Sequence, residues 1–332
     1  HTPNTHVDSL GIKNYLFSPD RSGRHLFRFQ TMLSLNQADS RRLFFRENGT
    51  VSSTRLNPGV CLKTLEASGP LGAIVGKEVT AFRVFAPRAR SVSLYLFENP
   101  DDGPGEALPM ELTAELVWET HVDGNFHGWY YHYTIEGQET DEVGYFDPAF
   151  PVVDPYAKAV LGPKGPGIVV ADEFFDFEKF PFKPPHWHDL VIAEAHIRDL
   201  TDHAPIPMSD DERLGYTGLV KFVQHDSFYL KELGVNAVEL QPVHEYDTAV
   251  KEEYAWGYMP VNYFSPASQY SSDPGGLKQI TEFRDLVQAF HRKGQAVLLD
   301  VVYNHIGEPN FLQYLDKEYY FLLNKDGQYE NF

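Results

Sequence analysis

Cysteine is almost missing from the 332 residues. Cys61 stands alone, which excludes an intrachain disulfide framework and a multi-cysteine zinc site. It leaves the compartment open between secreted and cytoplasmic, since secreted proteins without disulfides are common. Basic side chains are also scarce. Lys and Arg number 28 against 47 Asp and Glu, for a formal charge of -19. Such a surface repels phosphate backbones and anionic membranes, so nucleic acid is a poor partner and a neutral or cationic ligand a better one. No apolar run approaches the roughly 20 residues of a membrane span. Aromatic rings, by contrast, are plentiful: 24 Phe, 19 Tyr and 4 Trp make up 14% of the chain. Flat π faces suit the C–H faces of sugars, and a β-sandwich core would use the same rings. The length and the 42% hydrophobic content favour a globular chain of two or more domains.

Residues 1–68 carry short alternating pieces, His25-Leu-Phe-Arg-Phe-Gln30 and Arg42-Leu-Phe-Phe-Arg46, and read as a small β-rich segment without a legible role. Asn48-Gly49-Thr50 matches a glycosylation acceptor, but Asn-Gly is also a hairpin turn, and the turn is the reading adopted. From 69 to 165 the pattern becomes strands of period two. Val79–Phe85, Ser91–Phe97 and Gly128–Ile135 are separated by Gly, Pro and Asp turns, as in a β-sandwich. Residues 166–186 read as a connector, in which Pro181, Pro184 and Pro185 forbid a continuing helix.

Past 186 the texture changes to strand and amphipathic helix in turn. Leu190–His196, Val235–Leu240 and Ala296–Val302 read as buried strands. Leu219, Phe222, Val223, Tyr229, Leu230 and Leu233 fall on one helical face that Gly234 caps. Leu277, Ile280, Phe283, Leu286, Val287 and Phe290 fall on another, which Gly294 ends. This is the rhythm of a parallel sheet with crossover helices.

In a β/α barrel the chemistry sits at the C-terminal strand ends. Three segments lie there: His196-Ile-Arg-Asp199, Gln241-Pro-Val-His-Glu245 and Asp300-Val-Val-Tyr-Asn-His305. The last brings a carboxylate, an amide and an imidazole to one strand end, a set able to hydrogen-bond a polyhydroxylated ligand. A polar strand end with satisfied side chains is the plainer alternative.

Tyr254-Ala-Trp-Gly-Tyr-Met-Pro-Val-Asn-Tyr-Phe-Ser-Pro266 follows the second strand, and together with Asp300 to His305 it closely resembles glycoside hydrolase family 13, the α-amylase superfamily. Glu194-Ala-His-Ile-Arg-Asp199 resembles the first barrel strand of pullulanases. Trp256 to Pro266 with Tyr270-Ser-Ser-Asp-Pro274 looks part pullulanase and part isoamylase. Upstream, Thr80 to Leu94, Gly128 to Tyr133 and Val153-Asp-Pro-Tyr-Ala-Lys158 look like the family 48 carbohydrate-binding module of such enzymes. The resemblance covers residues 70–332. It implies a β-sandwich followed by about three βα units of a TIM (β/α)8 barrel at 187–332.

Carried over by position, Tyr258 resembles the tyrosine that stacks on the sugar ring at the cleavage subsite, and His305 the histidine that binds a hydroxyl of that sugar. Asp300 resembles the aspartate that orients an active-site arginine. Asn304 resembles the asparagine that buttresses the loop and, in calcium-dependent relatives, contacts the metal. Trp256 is expected to pack beneath Tyr258 or to line the cleft, with plain core packing as the equal alternative. Acid/base hydrolysis requires no cofactor. Calcium stays open as a ligand, because Asp and Asn are abundant near the barrel mouth, although no Asp-rich ligand loop is evident.

The resemblance also implies an incomplete chain. Retaining glycosidases need a nucleophile and an acid/base about 5 to 5.5 Å apart, which this family carries beyond its third strand. Tyr319-Tyr-Phe-Leu-Leu-Asn-Lys-Asp-Gly327 resembles the segment just after that strand. No Gly-Phe-Arg-Xaa-Asp segment occurs, so the catalytic carboxylates are expected C-terminal to Phe332, and 187–332 is expected to lie against further strands supplied as a fragment, as a second chain or by a longer chain of which this is a part. The expected activity is retaining hydrolysis of α-1,6 bonds in pullulan, amylopectin or glycogen. The alternatives are an α-1,4 hydrolase, a branching enzyme, or a non-catalytic glucan-binding protein.

Overall fold

The computed structural model describes residue 62 and residues 64–330, except 104, 138–145, 176–180 and 325. Between residues 14 and 55 it describes the backbone of four strands. Strands β1 (Asn14–Pro19) and β2 (His25–Gln30) pair antiparallel, and so do β3 (Arg42–Glu47) and β4 (Thr50–Arg55). Glu47 lies opposite Thr50, the spacing of a two-residue hairpin. The Asn48-Gly49 turn and Cys61 lie outside the described residues.

The sandwich is built from β5 (Gly72–Val75), β6 (Val79–Phe85), β7 (Ser91–Phe97), β8 (Ala107–Pro109), β9 (Glu111–Leu112), β10 (Val117–Asp123), β11 (Tyr130–Glu136) and β12 (Gly167–Ile168). One sheet runs β5-β6-β10-β9 and the other β12-β11-β7-β8. Period-two alternation is what closes it. Phe82 and Val84 from one sheet meet Val92, Leu94, Tyr131, Tyr133 and Ile135 from the other in one core. Phe82 and Tyr131 cross edge to face with ring centroids 5.2 Å apart. The boundary expected at 165 moves outward: β12 pairs with Tyr130 and Tyr131 of β11, so the first residues of the expected connector complete the sandwich.

The second unit holds β13 (Ile192–Ala195), β14 (Ala237–Leu240), a hairpin of β15 (His244–Tyr246) and β16 (Pro260–Pro266), and β17 (Ala296–Leu299). β13, β14 and β17 form a parallel sheet in that order. Between them lie helices α1 (Ile197–Asp202), α2 (Asp210–Arg213), α3 (Tyr216–Gln224) and α4 (Lys278–Arg292), and α5 (Phe311–Tyr320) follows β17. Leu219, Phe222 and Val223 of α3 and Leu286 and Phe290 of α4 pack with Val238 and Leu240 in one core.

The helix expected to run to Gly234 stops at Gln224. His225 turns to an extended backbone there, and its Nδ1 accepts the Ser227 N–H at 3.1 Å, so a local side-chain bond competes with the next helical turn. Tyr229 and Leu233 consequently stay exposed. Gly234, at φ +78°, closes a separate turn in which the Val235 N–H reaches the Leu230 carbonyl at 3.1 Å.

The two units share a buried seam. Asp154 is fully buried, and its carboxylate accepts from the hydroxyls of Tyr131 at 2.9 Å and Tyr133 at 3.2 Å. Its main-chain carbonyl accepts the Asn262 amide of β16 at 2.9 Å. Arg88, from the turn after β6, donates from Nη2 to Asp316 of α5 at 2.6 Å and lies 3.5 Å from Glu318, with both acids buried. α5 crosses into the sandwich core through Phe311 and Leu315, so the expected clean division between the module and residues 187–332 gives way to an interlocked one.

Arg88→Met is expected to lower stability by about 3–5 kcal/mol in urea unfolding, because it leaves two buried carboxylates without their cation. Burial pushes the Asp154 carboxyl up to about 6 from 3.8. The folded state therefore holds a proton that the unfolded chain releases between those values, and stability falls as pH rises through that window by at most about 1.4 kcal/mol per pH unit. Asp154→Asn should remove that slope between pH 4 and 6, and an unchanged slope would refute the assignment.

Candidate functional site

The ends of the parallel strands carry an acidic face. Glu194 of β13 lies opposite Glu239 of β14, which lies opposite Leu298 of β17. Asp300 follows two residues later, and its N–H donates to the Leu240 carbonyl at 3.0 Å. Alternate residues share a face, so Glu194, Glu239 and Asp300 project together, away from the helix-packed side that carries Ala195, Val238 and Leu240. Gln241 Nε2 donates to Glu194 Oε1 at 3.0 Å.

Tyr258 reaches this face from the loop between β15 and β16. Its hydroxyl donates to Asp300 Oδ2 at 2.6 Å. That bond, then burial and the charges of Asp300, Glu194 and Glu239, hold the phenol far above its ordinary range. Tyr258 is thus a permanently neutral donor, its ring orientation tied to a strand end. The approach needs a glycine before it: Gly257 sits at φ +81°, and a Cβ there would lie 2.7 Å from the Pro242 carbonyl.

His305 Nε2 lies 2.6 Å from the Tyr258 carbonyl, and the Tyr263 hydroxyl donates to the His305 carbonyl at 3.0 Å. A carbonyl only accepts, so this nitrogen carries the proton. Tyr258, Asp300 and His305 are therefore brought together as one constellation. Asn304 is exposed and Trp256 is 62% exposed, so neither joins it and the packing alternative for Trp256 falls away.

Two buried groups of the strand-end segment Gln241 to Glu245, given no role by sequence reasoning, support the loop. Burial is the main cause that pushes the His244 imidazole down to about 4, and its ring meets Tyr263 edge to face at 6.3 Å. Burial likewise pushes the Glu245 carboxyl up to about 8, while Ser268 donates to it from its N–H at 2.7 Å and its hydroxyl at 2.8 Å. Their place just past the strand Ala237–Leu240 was the available signal. Among the described residues no group of three His, Cys, Asp or Glu is placed to hold a metal ion, so no donor cluster of that kind surrounds Asn304. No described helix is long and apolar enough to cross a membrane.

The sandwich has its own concavity, a cavity of about 210 Å³ lined by Phe97, His132, Val153, Lys164 and Pro166 among others. His132 stacks on Tyr95 with centroids 5.1 Å apart. The sandwich residues Trp118, Trp129 and Tyr131 lie elsewhere. Trp118 and Tyr131 are core residues, with the Trp118 indole donating to the Ala86 carbonyl at 3.0 Å, and Trp129 is half-buried against Phe126.

Residues 70–157 match the model of carbohydrate-binding module 48, the isoamylase N-terminal domain. Isoamylase 1 of Oryza sativa subsp. japonica is 34% identical over 82% of this chain and 38% of its own length. The glycogen debranching enzyme of Cronobacter sakazakii is 31% identical over 80% of this chain and 44% of its own. The chain thus spans less than half the length of these curated relatives. Among solved structures, the pullulanase from Bacillus acidopullulyticus superposes with a TM-score of 0.75 at 27% identity, covering 92% of this chain and 38% of that one. The apo pullulanase from Paenibacillus barengoltzii does so with a TM-score of 0.67 at 30% identity, covering 79% and 42%. With a sandwich that matches the isoamylase module and an α/β unit whose likeness runs through isoamylases, glycogen debranching enzymes and pullulanases, the chain is similar to the glycoside hydrolases that carry those names.

Proposed function

We propose that this chain is the sugar-gripping part of an α-glucan debranching glycoside hydrolase, whose α/β unit forms the first βα units of a (β/α)8 barrel. The Tyr258–Asp300 hydrogen bond of 2.6 Å carries the reading. It holds an aromatic ring, kept neutral, at the end of the third parallel strand, where a pyranose ring can stack as it flattens toward an oxocarbenium-like transition state. His305, its Nε2–H committed to the Tyr258 carbonyl, offers its remaining ring nitrogen to a hydroxyl of the same sugar. The acidic face of Glu194, Glu239 and Asp300 favours the cationic character developing at that carbon. Asn304 buttresses the loop without touching sugar, and exposed Trp256 lines the approach to the cleft.

In this reading no residue of the chain is assigned as nucleophile or acid/base. Asp300 is occupied as a support, which fits orientation better than attack. The hydrolysis requires no cofactor, and calcium enters no step. For the module, the cavity beside Phe97 and His132 is proposed as a second glucan contact, with ring faces to pack on sugar and Lys164 to bind hydroxyls. The pullulanase from Paenibacillus barengoltzii, solved in complex with maltohexaose and alpha-cyclodextrin, supports the ligand class.

Pullulan converted to maltotriose by the enzyme that carries this chain is the expected result, whereas shortening of linear maltooligosaccharide alone would select the α-1,4 reading and chain transfer the branching one. Tight starch binding without cleavage would select a glucan-binding protein. Tyr258→Ala should lower kcat/KM on pullulan by about 100-fold through loss of the stacking face, and Tyr258→Phe by about tenfold through loss of the bond to Asp300. His132→Ala should weaken retention in starch-containing gels with kcat on short oligosaccharides unchanged, and unchanged retention counts against the module cavity.

A further inference from the structure

Residues 251–256 run directly into Tyr258, and one short helix holds them. Arg198 of α1 is 5% exposed. Its Nη1 donates to the Glu253 carbonyl at 2.7 Å, its Nη2 to the Lys251 carbonyl, and its Nε to the Leu214 carbonyl at 3.3 Å. Its neighbours on α1 add two more grips. His196 Nε2 lies 3.1 Å from the Ala255 carbonyl. The Tyr254 hydroxyl donates to the Asp199 carboxylate at 3.0 and 3.1 Å.

The choice of side chain is informative. Arg198 lies over the Tyr270 ring at 5.6 Å, and among the described residues its hydrogen-bond partners are neutral main-chain carbonyls. A buried charge held only by neutral acceptors is costly beside an apolar side chain of the same size. Stability alone therefore does not account for a guanidinium here. What a planar fork of donors supplies is fixed spacing between several carbonyls at once, which a lysine ammonium cannot reproduce.

We infer that Arg198 is the positioning residue of the substrate loop: by holding the carbonyls of Lys251 and Glu253 it sets the path along which the chain delivers Trp256 and Tyr258 to the acidic face. The inference rests on the reading of Tyr258 as the sugar-stacking residue. Arg198 itself touches no sugar. It acts by fixing the entry of a loop whose exit is already fixed by the Tyr258–Asp300 bond, so its loss leaves the ring tethered at one end.

Wild type, Arg198→Lys and Arg198→Met are compared on pullulan, in the enzyme that carries this chain, for kcat, KM and the folded fraction at assay temperature. Methylguanidinium is then added at millimolar concentration. Arg198→Met should lower kcat/KM by about 100-fold at an unchanged folded fraction, and methylguanidinium should restore it about tenfold while leaving wild type unaffected. Arg198→Lys should fall between the two. Unchanged kinetics, or activity lost in proportion to the folded fraction without rescue, overturns the inference. If Arg198→Met does not fold, Arg198→Lys decides alone: a loss at full folding supports the inference and wild-type kinetics overturn it. If wild type leaves pullulan intact, the debranching reading fails separately. Tryptic cleavage after Lys251 then reads the grip directly, with a rate about tenfold higher in the variant supporting it and an equal rate overturning it.

Discussion

Asp154 has its side chain in the core of one unit and its main chain in contact with the other. Tyr131 and Tyr133 converge on its carboxylate from the strand that organises the sandwich. Asn262, which binds its carbonyl, also turns the backbone of β16, its side-chain oxygen accepting from the N–H groups of Phe264 at 3.1 Å and Ser265 at 3.0 Å. The hairpin that carries Tyr263 toward His305 is therefore registered against the module by one buried residue. If that hairpin slid, Tyr258 and His305 would lose their relative placement, because Gly307 is also tied to it through the Pro260 carbonyl at 2.7 Å. The site at the strand ends depends on this seam as much as on the parallel sheet.

Within the site the charges follow one logic. The exposed face of the sheet is acidic, while the groups that support it from below are held neutral: His244 by burial, Glu245 by burial despite the donors of Ser268, and Tyr258 by its carboxylate neighbours. Negative charge is thereby concentrated on the exposed face and kept out of the supporting layer, where it would cost most. A face of this kind attracts positive character and repels anionic polymers, in keeping with the excess of acidic side chains in the sequence.

Much of this was legible in the residues. Val79–Phe85 and Ser91–Phe97 were delimited to the residue, because strict alternation with Pro and Gly at the ends has one physical solution. Tyr258, Asp300 and His305 were singled out through the resemblance to glycoside hydrolase family 13, whereas the apolar run before Asp300 by itself showed only that polar residues end a strand there. The helix through Tyr229 and Leu233 was misread, since apolar spacing does not register a histidine that binds the next turn's backbone. Short strands such as Gly72–Val75 and Gly167–Ile168 carry too few residues for periodicity to show. The long-range pairs were invisible for a different reason: Arg88 and Asp316, 228 residues apart, have no local signature at all. Arg198 was in view as part of a strand-end motif, but its role depends on carbonyls, and a sequence does not say where carbonyls point.

The path of α5 has a bearing on how such proteins can be rearranged. Phe311 and Leu315 fill the sandwich core, and Phe150 of the module stacks on Tyr314 with ring centroids 3.9 Å apart. A gene fusion that lifted out residues 70–157 alone would carry a module with an open hole in its centre, and an α/β unit left behind would expose a helix shaped to fill it. Module and catalytic unit are thus joined as a matched pair, and recombination between homologous enzymes is expected to succeed when the crossover keeps this helix with the sandwich it completes and to fail when it parts them.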